Sequence, residues 1–208
     1  MLPPDDEVDT RDFVERRPTG AVATVIPPGR WAVDPTRTSV TFVAKHLLVS
    51  KVTGTFTRVA GTITVTEDVA GSSVSAMADA ASLTTGDTAR DEHLRSTDFF
   101  DVERWPTLTI TGGGLRARGG RHLLDAVLTI RDVGHPVTFE VAASNLDPVG
   151  SASVTGATPH RPVARFTAEA SVNRKDWGLR WNAAIETGGV VVGDMVRLSI
   201  VAVAELVA

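Results

Sequence analysis

The chain has 208 residues, no cysteine and a formal net charge of −4. That length suits one domain, or one domain with an appendage, and is enough to bury a sizeable core. The missing cysteines exclude disulfides, thiol catalysis and zinc–thiolate sites. An acidic balance without a basic run interleaved with aromatics leaves nucleic acid as no expected partner.

Residues 1–28 carry six acids, three arginines and several prolines, with no apolar run behind a basic start. They read as a flexible acidic tail and not as a targeting segment, which sets the expected boundaries: a tail over 1–28 and a β domain over 29–208. No stretch reaches the ~20 apolar residues of a membrane-spanning helix, and without a leader behind Met1 the expected compartment is the cytoplasm.

From Trp31 onward short runs alternate apolar and polar residues at period two, the mark of half-buried antiparallel strands. The first is "SVTFVAKH", which sets Val40, Phe42, Ala44 and His46 on one face. "KVTGTFTRVAGTITVTED" and "SSVSAMADAAS" follow. After an interruption come "TLTITGG", "RHLLDAVLTIRD", "HPVTFEVAAS", "RFTAEASVNR" and "MVRLSIVAVAELV", eight strands in all. "TGGGLRARGG" and "RDVGHP" supply turn residues for hairpins. The span from Asn145 to Pro162 is long, small and polar and reads as a mobile loop.

Eight up-and-down strands close into a barrel that is either filled or hollow, with a plain sandwich as the alternative. Many inward positions are small: Ala44, Gly54, Ala76, Ala78, Ala80, Ala126, Ala168, Ala170, Ala202 and Ala204. A solid core would place Leu, Ile and Phe at many of these, so the pattern favours a hollow interior.

The interruption, "DTARDEHLRSTDFFDVERWP", breaks the period. Asp87 is a good helix N-cap, and Pro106 ends the segment. A helical insertion there lays Leu94, Phe99, Phe100 and Trp105 against one barrel end as a lid. Arg90, Asp91, Glu92 and His93 contain the ingredients of acid/base catalysis, but consecutive helical positions diverge, so salt bridges to barrel strands are the simpler expectation. The five histidines, His46, His93, His122, His135 and His160, show no metal-ligand spacing. A spatial pair of His46 and His93 remains the one alternative.

"WAVDPTRTSVTFVAKHLLVSKVTGTFTRVAGTI", "AASLTTGDTARDEHLRSTDFFDVERWPTLTI", "LTIRDVGHPVTFEV", "SVNRKDWGLRWN" and "VGDMVRLSIVAVAEL" together resemble the YceI-like, polyisoprenoid-binding family of lipocalin-like proteins. The resemblance runs from about Trp31 to Leu206, and its most specific pair is "KHLLVSKVTGTF" with "RDEHLRSTDFFDVERWPT". It implies an all-β fold, an extended eight-stranded antiparallel lipocalin-like β-barrel whose lumen takes a long isoprenoid chain, often in a homodimer. Combined with the strand faces, it assigns ligand contacts to Val40, Phe42, Ala44, His46, Leu47, Phe56, His93, Leu94, Phe99, Phe100, Ile130, Phe139, Phe166, Ala170 and Trp177.

No catalytic residue, metal ligand or cofactor is expected beyond a bound polyisoprenoid lipid. Exchange of that lipid implies transient membrane contact. The alternative is an enzyme acting on a lipid or quinone-type head group, with His46 and His93 near the barrel mouth. Trp105 stands where the family usually has a smaller or tyrosyl ring, and Leu48 replaces a common glycine.

Overall fold

The computed structural model describes residues 26–46, 50–146, 161–182 and 192–207. Its elements are β1 (Gly29–Val33), β2 (Ser39–His46), β3 (Ser50–Phe56), β4 (Val59–Val65), β5 (Ser73–Asp79), β6 (Leu83–Thr84), α1 (Thr88–Arg95), β7 (Thr107–Arg118), β8 (Arg121–Ile130), β9 (Val133–Asn145), β10 (Val163–Asn173) and β11 (Val192–Leu206). All pairings are antiparallel.

These segments form eight barrel strands, because three strands are each broken once. β11 pairs with β1 at its C-terminal end (Ala204 opposite Val33) and with β2 further back (Ile200 opposite Val40). β1 and β2 are therefore one strand with a kink. β3 and β4 form the next, since β3 pairs with β2 and β4 with β1, and β5 with β6 form the third. The pairing of β1 with both β4 and β11 closes the ring.

The kinks have local causes. Asp34, before Pro35, accepts from the Thr36 amide at 2.8 Å and the Thr36 hydroxyl at 2.7 Å, a side-chain turn that redirects the backbone. Between β3 and β4, the amides of Thr57 and Arg58 both donate to the Ser82 hydroxyl at 3.1 Å.

The expected strands all form, with two differences at the turns. "TGGGLRARGG" is not a hairpin loop throughout: β7 continues to Arg118 past a register shift between Gly113 and Arg116, and the turn is Gly119–Gly120, both at positive φ. In "RDVGHP" the tight turn uses Arg131 (φ 53°) and Asp132 (φ 62°), while Gly134 and Pro136 lie inside β9. The expected loop between Asn145 and Pro162 falls mainly on 147–160, outside the described residues, as do Leu47, Leu48, His160 and residues 1–25.

The two barrel ends are built differently. At the lower end sit α1, the β8–β9 turn and a short 3-10 helix over Arg174–Trp177. There β9 and β10 pair only from Glu140 and Glu169 upward, and Trp177 packs against the β8–β9 hairpin, donating to the Leu128 carbonyl at 2.9 Å. At the upper end lie the β4–β5 connection, the β7–β8 turn and residues 26–28. Trp31, fully buried, donates to the Pro27 carbonyl at 3.2 Å and meets Phe166 edge-on at 5.7 Å.

Candidate functional site

The barrel encloses a cavity of about 1030 Å³ that reaches from Ile26 and Val65 at the upper end to Phe100 and Trp177 at the lower. This is at the top of the range of small-molecule pockets. The hollow reading is therefore correct, and a solid sandwich is not what the chain builds. Its walls are mainly Val, Ile, Leu, Phe and Ala, with Ala44, Ala76, Ala78, Ala168 and Ala202 among them. The other small positions do different work. Ala80, Ala126 and Ala204 are buried in the wall, and Gly54 lies under the Phe42 ring, which occupies the space a Cβ would need.

Of the residues assigned to the ligand, Val40, Phe42, Ala44, Phe56, Leu94, Phe99, Phe100, Ile130, Phe139, Phe166 and Trp177 border the cavity. Phe42, Phe56 and Phe100 form a chain of ring contacts at 5.8 and 5.7 Å across the lower half. Ala170 is on the inward face but packs against the cluster around Phe139 and Trp177 and does not reach the cavity. His93 also does not border it. The side chain of His46 and the whole of Leu47 lie outside the described residues, so the His46–His93 pair does too. No group of three or more metal-ligating side chains occurs among the described residues.

The insertion is held as expected, by a different set of bonds. Asp87 caps α1, accepting from the Arg90 amide. Asp91, buried, accepts from both the Thr85 amide at 2.8 Å and the Thr85 hydroxyl at 2.5 Å. Arg90 donates to the same Thr85 hydroxyl at 2.7 Å and to its carbonyl. Arg95 donates to the carbonyls of Ala81 and Leu83. So hydrogen bonds to the 81–85 segment replace the expected salt bridges to strands. Burial, the largest single influence, pushes the Asp91 carboxyl up; the two bonds from Thr85, together with the Thr84 hydroxyl and the Arg95 charge, outweigh it and hold the pKa below the ordinary carboxylate value.

His93 joins the insertion to the segment after β10. Its Nε2 lies 2.9 Å from an Asp98 carboxylate oxygen, and its ring meets Trp181 at 4.5 Å and Phe99 at 5.2 Å, both edge-on. Trp105 carries the guanidinium groups of Arg104 and Arg131 at 4.5 and 4.7 Å from its ring centre. The unusual ring thus ties the end of the insertion to the β8–β9 turn.

Several wall residues were not singled out from sequence, among them Ile63, Ile110, Leu124, Leu198 and Ile200. Period two carried through each strand would have found them. Ile26 and Pro28 also border the cavity. No periodic signal marks those two, which sit in the segment read as tail.

A closed eight-stranded antiparallel barrel with an apolar lumen, covered at one end by a helical insertion, is a lipocalin-like fold. The chain belongs to the YceI-like family: the YceI-like domain matches residues 31–204. It is 31% identical over 170 residues to a UPF0312 protein of Staphylococcus epidermidis, covering 79% of this chain and 90% of the relative. Among solved structures it resembles Burkholderia cenocepacia BcnA, with a TM-score of 0.67 at 21% identity over 82% of this chain and 98% of that one. It also resembles a polyisoprenoid binding domain from Saccharophagus degradans implicated in plant cell wall breakdown, with a TM-score of 0.60 at 20% identity over 87% and 100%. No helix among the described residues is long and apolar enough to cross a membrane.

Proposed function

We propose that the protein holds a long-chain isoprenoid lipid, such as a prenyl or isoprenoid-quinone-like molecule, in its lumen for carriage, storage or shielding. The observation that carries this reading is the apolar cavity of about 1030 Å³ running the length of the barrel. The name of the Saccharophagus neighbour supports the choice of ligand class.

Each isoprene unit moved from water into such a lumen gains about 4 kcal/mol at ~0.8 per carbon, so several units would pass the ceiling on non-covalent affinity. The relevant competitor is a bilayer, in which the chain is already solvated. The barrel has only to match that solvation, and exchange then takes place by transient contact with a membrane surface.

Binding is favoured over catalysis because the polar side chains of the insertion, Arg90, Asp91, His93 and Arg95, are engaged with neighbouring protein groups. A homodimer is part of the proposal. Met77 and Val127, each 47% exposed, put apolar side chains on the outer face of β5 and β8, where a second copy could cover them.

Mass spectrometry of the purified protein under native conditions, followed by solvent extraction, tests the function. One isoprenoid chain per barrel is expected. Protein that carries no lipid and takes up none from isoprenoid-doped vesicles would overturn it.

A further inference from the structure

The polar groups of the lumen wall are concentrated at one end. Its upper wall carries Thr66, Glu67, Ser72, Ser73, His122 and Ser144, whereas Leu94, Phe99, Phe100, Trp177 and Leu179 line the lower end. One charged group does border the lower end, Arg174, which is 5% exposed. It has nothing left to offer a ligand. Its Nε donates to the Gly193 carbonyl, one terminal nitrogen to the carbonyls of Leu179 and Trp181, and the other to the Val192 carbonyl and an Asp194 carboxylate oxygen. These account for all five of its N–H groups.

The upper end has the opposite character. His122 stands on the inward face of β8, in step with Leu124, Ala126 and Leu128, and no hydrogen bond, ion pair or ring contact engages it among the described residues. Glu67, in the β4–β5 connection, also borders the cavity without a partner among the described residues. The nearby Arg116 and Arg121 point outward and are paired with Asp125 and Glu140. Arg174 is the only arginine on the described cavity wall.

From this polarity we infer that the lipid lies head-up. Its head group sits at the His122 end, and its chain terminus rests against Phe100 and Trp177. The inference rests on the lipid-binding reading above and adds orientation and head-group class. An imidazole that donates or accepts and a carboxylate that accepts, both exposed at the upper end of the cavity, suit a neutral hydroxyl head. Glu67 opposes a diphosphate, and no free cation on the described wall compensates for it.

Three C20 probes test this on the lipid-stripped full chain: geranylgeraniol, the saturated hydrocarbon phytane, and geranylgeranyl diphosphate. Geranylgeraniol should bind tightest. His122→Leu should weaken it roughly two- to tenfold, the weight of one neutral hydrogen bond, while leaving phytane unchanged, and His122→Gln should restore part of the loss. A chain-terminal diazirine on geranylgeraniol should crosslink to peptides containing 94–100 or 177–179. Crosslinking at 66–74 or 122 would overturn the orientation. Tighter binding of the diphosphate, or equal loss of alcohol and hydrocarbon in His122→Leu, would overturn the head-group class. Failure of all three probes to bind would instead remove the lipid-binding reading itself.

Discussion

Tryptophan placed at Ala44 and at Ala170 should have opposite effects, although both alanines face inward. Ala44 borders the cavity, while Ala170 packs on the cluster of Phe139, Val172 and Trp177. A buried indole covers about 150–250 Å², which at about 25 cal/mol/Å² is worth about 4–6 kcal/mol as an upper bound. At Ala44 the ring enters empty space, so only its lost rotamer freedom opposes that gain, and the melting midpoint should hold or rise. At Ala170 it must displace packed atoms, at a cost of about 1–3 kcal/mol. For a chain of this size that lowers the midpoint by about 2–4 °C per kcal/mol, or about 2–12 °C. The comparison requires lipid-stripped protein, because bound lipid itself raises the midpoint by mass action. Circular dichroism melts and extracted lipid per chain are the readouts. Ala44→Trp should also lose its lipid. Equal destabilisation by both variants, with lipid content unchanged in Ala44→Trp, would refute the hollow-lumen assignment of Ala44.

Two further predictions concern the ends of the barrel. Asp91 has a depressed pKa in the fold, so its contribution is complete above the unfolded carboxylate value of about 4 and is lost as pH falls through the lower folded value. Asp91→Asn should cost about 2–3 kcal/mol at neutral pH and flatten that acid limb, measured by denaturant titration from pH 7 to pH 2; an unchanged acid limb would show that the Thr85 contacts do not set it. At the upper end, a chain starting at Ile26 should match the full chain in stability. One starting at Gly29 loses the Trp31 acceptor on Pro27 and the Ile26 cover, and should melt several degrees lower.

Strand faces were legible because the extended backbone of a pleated strand turns successive side chains to opposite faces. Val40, Phe42, Ala44 and Phe56 reach the cavity that alternation assigns them. Asp87 was legible as an N-cap for a similar reason: its chemistry acts on amides three residues away. What alternation cannot convey is where a strand breaks. The kink at Asp34–Ser39 shifts the inward set from Trp31 and Val33 to Val40 and Phe42, and it hid β1 from the periodic reading. Nor does inward mean exposed to the lumen. Ala44 and Ala170 look alike in sequence, and only the tertiary position of Trp177 separates them. His122 was noticed only as one histidine among five, because its significance depends on which end of the lumen has other polar groups.

The charged cluster that makes 87–106 look catalytic has a mechanical explanation in the barrel itself. β6 spans only Leu83–Thr84 and pairs with β3 alone, so the strand wall stops short beside β7. Something must cover that gap, and the carbonyls it leaves at Ala81 and Leu83 need donors. Arg95 supplies them, and Asp91 with Arg90 ties down Thr85. With these polar groups bonded to the wall, the insertion presents Leu94, at the end of α1, and Phe99 and Phe100, just beyond it, to the cavity. The same Arg, Asp and His residues that suggest acid/base chemistry are thus what allows a greasy plug to close one end of a barrel whose own hydrogen-bond ladder is incomplete there.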